Sequence, residues 1–106
     1  DLVRDREGER LLAAVPPSAE VVACDLSGRQ MTSEQFAAWL QRLRERARDV
    51  ALVIGGAFGL GDVVKQRAST SLALASWTLP HELARLVLAE QLYRAGSILR
   101  GEPYHK

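Results

Sequence analysis

Side chains that can take part in acid–base or nucleic-acid chemistry lie at the end of the chain. The last three residues are Tyr104, His105 and Lys106, and Arg94 lies a short way upstream. Histidine titrates near neutral pH, a tyrosine ring can stack on a nucleobase, and lysine and arginine bind phosphate. A polar tail of this kind is equally typical of a frayed terminus. The residue types therefore permit a functional tail without establishing one.

A second candidate site is the glycine-rich stretch over residues 55–61, which reads GGAFGLG. It follows Val50–Ile54, a continuously apolar run that predicts a strand covered on both faces of a parallel sheet. Glycine lets the backbone approach a ligand closely, but ordinary loops with positive φ have the same composition. The spacing fits neither GxGxxG nor a Walker A loop. A ligand-binding loop and a plain turn are both open interpretations.

Cys24 ends the short run of residues 21–24, whose β-branched side chains predict another strand. Because α/β proteins bind ligands at the carboxyl ends of parallel strands, the residue could line a site. For its chemistry, a packed core thiol is the favoured interpretation, since no histidine is close to it in sequence. A single cysteine excludes an internal disulfide and fits a reducing, cytoplasmic compartment.

Length and charge limit the number of domains and the kinds of partner that the sequence can have. The 106 residues amount to one domain, which we take to span 1–106. No apolar run is long enough to cross a membrane. The net charge of +1 does not by itself indicate a nucleic-acid partner, so any RNA contact must come from local clustering.

The elements that must position these residues alternate between helix and strand, which predicts an α/β fold with three parallel strands. A capping box at Thr32 and Gln35 predicts the start of the second helix. Asp62 is expected to cap the third, and Ser27-Gly28 is expected to form a turn. The predicted elements are helix 1–15, strand 21–24, turn 25–29, a helix from 32, strand 50–54, helix 62–69, strand 72–75 and helix 81–99.

The last predicted helix is apolar nearly all round, with Pro80 in its first turn. Such a helix is buried on most sides or shared between a core and a second subunit. His81 is expected to make a structural hydrogen bond, with catalysis as the second interpretation. Trp77, just before the helix, is expected to pack beside it.

Three separated stretches resemble the ribosomal large-subunit methyltransferase H family of SPOUT-class enzymes. They are residues 53–60, the sequence Thr78-Leu79-Pro80-His81 with residues 90–95, and the ending at 101–106. They occur in the family's order, and the likeness extends from about Gly8 to Lys106. The resemblance implies a SPOUT fold with a parallel sheet and a C-terminal trefoil knot, threaded by the helix from Pro80 onward.

The same resemblance implies a function. These enzymes use S-adenosylmethionine to methylate N3 of a pseudouridine in 23S rRNA of the ribosome, and they act as homodimers without a metal or a membrane. On the acceptor side it implies Arg94, Tyr104, His105 and Lys106, with His105 as the candidate general base. The positions that match the cofactor contacts, mostly through backbone, are Cys24, Gly55, Leu74, Ala75, Ser76, Trp77, Thr78 and Leu79. For Trp77, stacking on the adenine is the second interpretation after packing beside the helix.

Two alternatives remain open. The family carries a further segment before the position of Asp1, and a chain lacking it could be a catalytically impaired SPOUT core that binds cofactor or RNA as a dimeric module. A different α/β nucleotide-binding protein is disfavoured, because the phosphate-loop spacings fail. Arg85 and Glu90 are expected to pair across a subunit interface, with a solvated face as the alternative.

Overall fold

A computed structural model describes residues 2–46, 48–55 and 60–102. Within these ranges the chain alternates between helix and strand, as predicted, and the α/β class is confirmed. The elements are α1 Leu2–Ala13, β1 Glu20–Arg29, α2 Ser33–Glu45, β2 Val50–Ile54, α3 Asp62–Arg67, β3 Thr70–Leu72 and α4 His81–Leu99.

The three strands form one parallel sheet in the order β2-β1-β3. The register of β1 against β2 runs from Glu20 beside Val50 to Cys24 beside Ile54. The chain leaves β1 for one side of the sheet and then returns across it to the other side. Such a reversal opens a crevice at the carboxyl ends of the strands, where open α/β sheets bind their ligands.

Helices cover both faces of the sheet, and the alternating side chains of β1 contact both layers. Val22 belongs to a core cluster with Phe36, Leu43 and Leu88, which come from α2 and α4. Val21 and Ala23 point the other way, into a cluster with Val64 of α3 that side chains of α1 complete. This period of two is what a strand between two helical layers requires.

Helices α2 and α4 begin close to the residues that the sequence predicts. Thr32 Oγ1 accepts a hydrogen bond from the Gln35 amide at 3.1 Å, and Gln35 Oε1 accepts one from the Thr32 amide at 2.9 Å. The predicted capping box is thus confirmed. The bounds of α4 are also those predicted, and Ser33 Oγ of α2 donates to Gln91 Oε1 of α4 at 2.7 Å.

The turn predicted over residues 25–29 is wrong, because β1 continues to Arg29. Cys24 and Arg29 both align with Leu72, so the residues between them bulge out of the ladder with β3. Ser27 donates to the Asp25 carboxylate from both its amide and its hydroxyl. The turn chemistry at this point therefore makes a bulge within a strand and does not end the strand.

Three predicted boundaries also differ. β3 is Thr70–Leu72 and not residues 72–75, because the bulge in β1 takes away its pairing partner beyond Leu72. The N-cap of α3 is Gly61, whose backbone is extended, and not Asp62 as predicted. Pro80 precedes α4 as its N-cap with ψ 149° and is not in the first turn.

Helix α4 buries only one face within a single chain. Its buried positions are Ala84, Leu88, Ala95 and Ser97. A single chain therefore does not bury α4 on most sides, since Leu86 is 66% and Tyr93 is 58% exposed. Among the described residues, no helix is both long enough and apolar enough to cross a membrane.

Candidate functional site

A pocket of about 510 Å³ opens at the carboxyl ends of the strands. Its walls come from the ends of β1 and β2, the loop that follows β3, and the first turn of α4. The volume lies in the range of sites for small molecules and cofactors. Its position is the crevice that the strand order creates.

Hydrogen bonds fix the loop over residues 73–80 across the mouth of this pocket. At its start, the Ala73 amide donates to the Arg29 carbonyl at 2.9 Å. In its middle, Gln30 Nε2 donates to Ser76 Oγ at 2.8 Å. These two bonds tie the loop to the end of β1 and to Gln30, the residue that follows it.

His81 ties the start of α4 to the end of β2. Its Nδ1 lies 2.6 Å from the carbonyl oxygen of Gly55. A carbonyl can only accept, so Nδ1 carries a proton and donates. The predicted structural hydrogen bond of His81 is confirmed, and it joins two walls of the pocket that are far apart in sequence.

Cys24 lines the pocket and is half-buried. Burial raises the pKa of its thiol from the ordinary value of 9.0 to about 11. The side chain is therefore a neutral thiol at physiological pH and a poor nucleophile. This agrees with the interpretation of Cys24 as a packed, unreactive thiol. Its contribution to the site is to form part of the pocket wall.

The structure gathers nearly all the positions that the resemblance assigns to the cofactor. Every one of them except Ser76 lines the pocket: Cys24, Gly55, Leu74, Ala75, Trp77, Thr78 and Leu79. Ser76 lies outside the lining and is held by Gln30. The neighbouring glycine-loop residues 56–59 lie outside the described residues.

Of the acceptor-side candidates, only Arg94 lies within the described residues. Arg94 is absent from the lining of the pocket, and its Nε donates to Glu90 Oε1 at 2.8 Å one turn earlier in α4. Glu90 thus pairs within its own chain, while the predicted pairing across a subunit interface with Arg85 stays a prediction. Tyr104, His105 and Lys106 lie outside the described residues.

The expectation that Trp77 packs beside the last helix is wrong. Its side chain is 82% exposed and stands at the mouth of the pocket. The other tryptophan, Trp39, is the one that packs in the core. It is 8% exposed, and the centre of its ring lies 5.7 Å from that of Phe36.

Several lining residues were not assigned from the sequence. They are Asp25, Leu26, Ile54, Pro80, His81 and Ala84, whereas Leu60 belongs to the glycine-rich stretch of residues 55–61 that the sequence singled out. Asp25 and Leu26 were hidden by the predicted turn, although a position directly after a buried strand was a usable signal. Among residues 2–46, 48–55 and 60–102, no group of three or more side chains that could ligate a metal comes together.

Comparison with known proteins identifies the family. The family model described as predicted SPOUT methyltransferase matches residues 1–105. A protein of Gemmatimonas aurantiaca named ribosomal RNA large subunit methyltransferase H is 66% identical over 106 residues, covering 100% of this chain and 69% of that relative.

Two further relatives have the same name. The one from Anaeromyxobacter sp. (strain Fw109-5) is 57% identical over 103 residues, which are 97% of this chain and 67% of the relative. The one from Bacillus pumilus is 47% identical over 106 residues, 99% of this chain and 67% of the relative. This chain spans about two thirds of the length of these relatives. With its pocket at the strand ends, the chain therefore belongs to the SPOUT methyltransferases and, among them, to the ribosomal RNA large subunit methyltransferase H family.

Proposed function

We propose that the chain transfers a methyl group from S-adenosylmethionine to N3 of a pseudouridine in 23S rRNA of the ribosome, in the cytoplasm. The observation that supports this most is the pocket, because it gathers residues from β1, β2 and the loop after β3 that match the family's cofactor positions. In this proposal residues 1–106 act as a single methyltransferase domain.

The residues of the pocket suit this cofactor. Leu60 and Leu79 offer apolar surface for an adenine, and the Asp25 carboxylate can accept hydrogen bonds from ribose hydroxyls. The backbone of residues 74–79 supplies further donors and acceptors. S-adenosylmethionine would supply an electrophilic methyl group carried on a sulfonium. The task of the chain is then to position donor and acceptor in line, which can contribute up to roughly 7–11 kcal/mol.

On the acceptor side, we propose that His105 is the general base that removes the proton from N3, because histidine as a residue type titrates near neutral pH. Tyr104 stacks on a base, and Lys106 and Arg94 stabilise the negative charge of the ring or bind phosphate. Arg94 lies on α4 away from the pocket lining of its own chain. This location supports a site that is completed by a second copy.

We place the interface of that homodimer on the exposed face of α4. Leu83, Leu86 and Tyr93 are 44%, 66% and 58% exposed there, so the helix presents a row of large apolar side chains to solvent. Leu86→Glu should therefore convert a dimer into a monomer in sedimentation velocity, because it would bury a charge. Arg42→Glu on the exposed side of α2 is the matched control and should stay dimeric. A wild-type chain that sediments as a monomer would contradict this interface.

The trefoil knot is part of the same proposal, with α4 threaded through a loop of the pocket. The bond between His81 and the Gly55 carbonyl supports it, since it holds the start of α4 against the loop after β2. An experimental structure whose backbone would straighten completely when its two ends are pulled apart contains no knot. Such a structure would refute this part of the proposal.

The experiment that tests the function is transfer of radiolabelled methyl to ribosomes lacking the modification. We expect incorporation that falls sharply in His105→Ala and on deletion of Lys106. Calorimetric titration with S-adenosylhomocysteine should give saturable binding in all three proteins. Binding without incorporation would favour the alternative, a SPOUT core that binds cofactor as a dimeric module. A folded sample that gives no heat would count against the cofactor pocket itself.

A further inference from the structure

We infer that the indole of Trp77 is the surface on which a base of the RNA substrate stacks as the acceptor enters the pocket. The inference rests on the proposed function and adds a substrate-contacting residue to it. It comes from the contrast between a loop whose neighbouring residues are hydrogen-bonded and a pocket-lining side chain that is left exposed.

The loop that carries Trp77 is held on both sides. Ser76 Oγ accepts from Gln30 Nε2 at 2.8 Å, and His81 donates to the Gly55 carbonyl at 2.6 Å. The indole itself is nevertheless 82% exposed. Because residues before and after Trp77 are already tied to the rest of the chain, part of the cost of ordering this loop is met before a partner binds.

The group that stacks on the Trp77 indole must be planar and must approach the pocket. Leu26, 52% exposed, also lines this pocket, so two apolar side chains at its edge remain in water. A nucleobase has a π-face that stacks on an aromatic ring whatever its sequence. In a reaction on an RNA base, that base must pass this edge to reach a methyl donor inside the pocket.

Two other occupants fit less well. The adenine of the cofactor would lie inside the pocket, whereas an indole exposed to this degree projects mainly into solvent. A second copy of the chain has its own apolar surface in the outward face of α4, with Leu83, Leu86 and Tyr93. The stacking of an RNA base is therefore the assignment that uses the position of Trp77 at the pocket mouth.

Intrinsic fluorescence can separate these occupants, because the chain has only two tryptophans and Trp39 is buried at 8% exposure. Subtracting the spectrum of Trp77→Phe leaves the emission of the exposed indole. We expect a short single-stranded RNA containing uridine to quench this emission. S-adenosylhomocysteine and increasing protein concentration should leave it unchanged. Quenching by S-adenosylhomocysteine alone, or protection from iodide that rises with protein concentration, would overturn the inference.

Kinetics with ribosomes provide the second test. Trp77→Leu keeps an apolar side chain without a π-face and should raise KM for ribosomes by about 5- to 150-fold, the range expected for a lost stacking contact. Trp77→Phe should recover most of this loss, and both variants should unfold at the wild-type urea midpoint, because the indole is 82% exposed. If the wild type methylates ribosomes and Trp77→Leu does so with the same KM, the inference fails and the function stands. If the wild type neither methylates nor binds S-adenosylhomocysteine, the proposed function fails, and quenching by RNA still decides the role of Trp77.

Discussion

Gly28→Ala should lower the free energy of unfolding by about 3 kcal/mol, the upper part of the range for forced overpacking. A Cβ at this position would lie 2.6 Å from the backbone nitrogen of Leu72 and 2.6 Å from the carbonyl carbon of Ser71. Carbon atoms in favourable contact are about 3.5–4.0 Å apart. Because the neighbours are backbone atoms of β3, no side chain can rotate away. The strands must separate.

The damage should extend to the pocket. The Ala73 amide bonds to the Arg29 carbonyl next to Gly28, so a shift of β3 also shifts the loop over residues 73–80. Urea unfolding followed by circular dichroism measures the loss of stability, and calorimetry with S-adenosylhomocysteine measures the loss of the pocket.

Gly96→Ala is the matched control for this change. Its Cβ would meet Arg100 Nη1 at 3.1 Å, the end of a flexible side chain, and the residue lies within α4. Alanine is favoured over glycine in a helix by up to about 1 kcal/mol, so this variant should match or exceed the wild type. Equal urea midpoints for Gly28→Ala and the wild type would show that β1 and β3 do not approach this closely.

Gly28 also shows where prediction from sequence reaches its limit. The capping box at Thr32, the apolar run of β2 and the extent of α4 were predicted correctly, because each depends on residues close together in the chain. The bulge in β1 depends on β3, which lies far along the sequence. Ser27-Gly28 has the local chemistry of a turn, and only the close approach of Leu72 turns it into a bulged strand.

The site divides in the same way. The loop positions from Leu74 to Leu79 were assigned to the cofactor by resemblance, and all of them except Ser76 line the pocket. The exposure of Trp77 could not be found, because burial is a property of the packed chain and composition favours a buried indole. Likewise, the apolar composition of α4 predicted a helix with partners on several sides. It did not specify that Leu86 and Tyr93 would face outward and Leu88 the core.

Ala84→Phe should reduce the affinity for S-adenosylhomocysteine by about 100-fold or more, equivalent to roughly 2.7 kcal/mol. Ala84 lies in the first turn of α4, is 7% exposed and lines the pocket. A phenyl ring at this position can extend into the open space of the pocket, so it displaces the ligand before it strains the core. Calorimetric titration gives the affinity, and the unfolding midpoint shows whether the fold is retained.

Ala84→Ser is the control at the same helical position, because a serine adds one small atom and leaves the pocket open. It should bind S-adenosylhomocysteine nearly as the wild type does. The comparison distinguishes occupancy of the pocket from a general weakening of α4, since only the larger side chain removes ligand space. A folded Ala84→Phe protein with wild-type affinity would mean that the donor binds elsewhere. The pocket at the ends of β1 and β2 would then no longer support methyl transfer as the function of this chain.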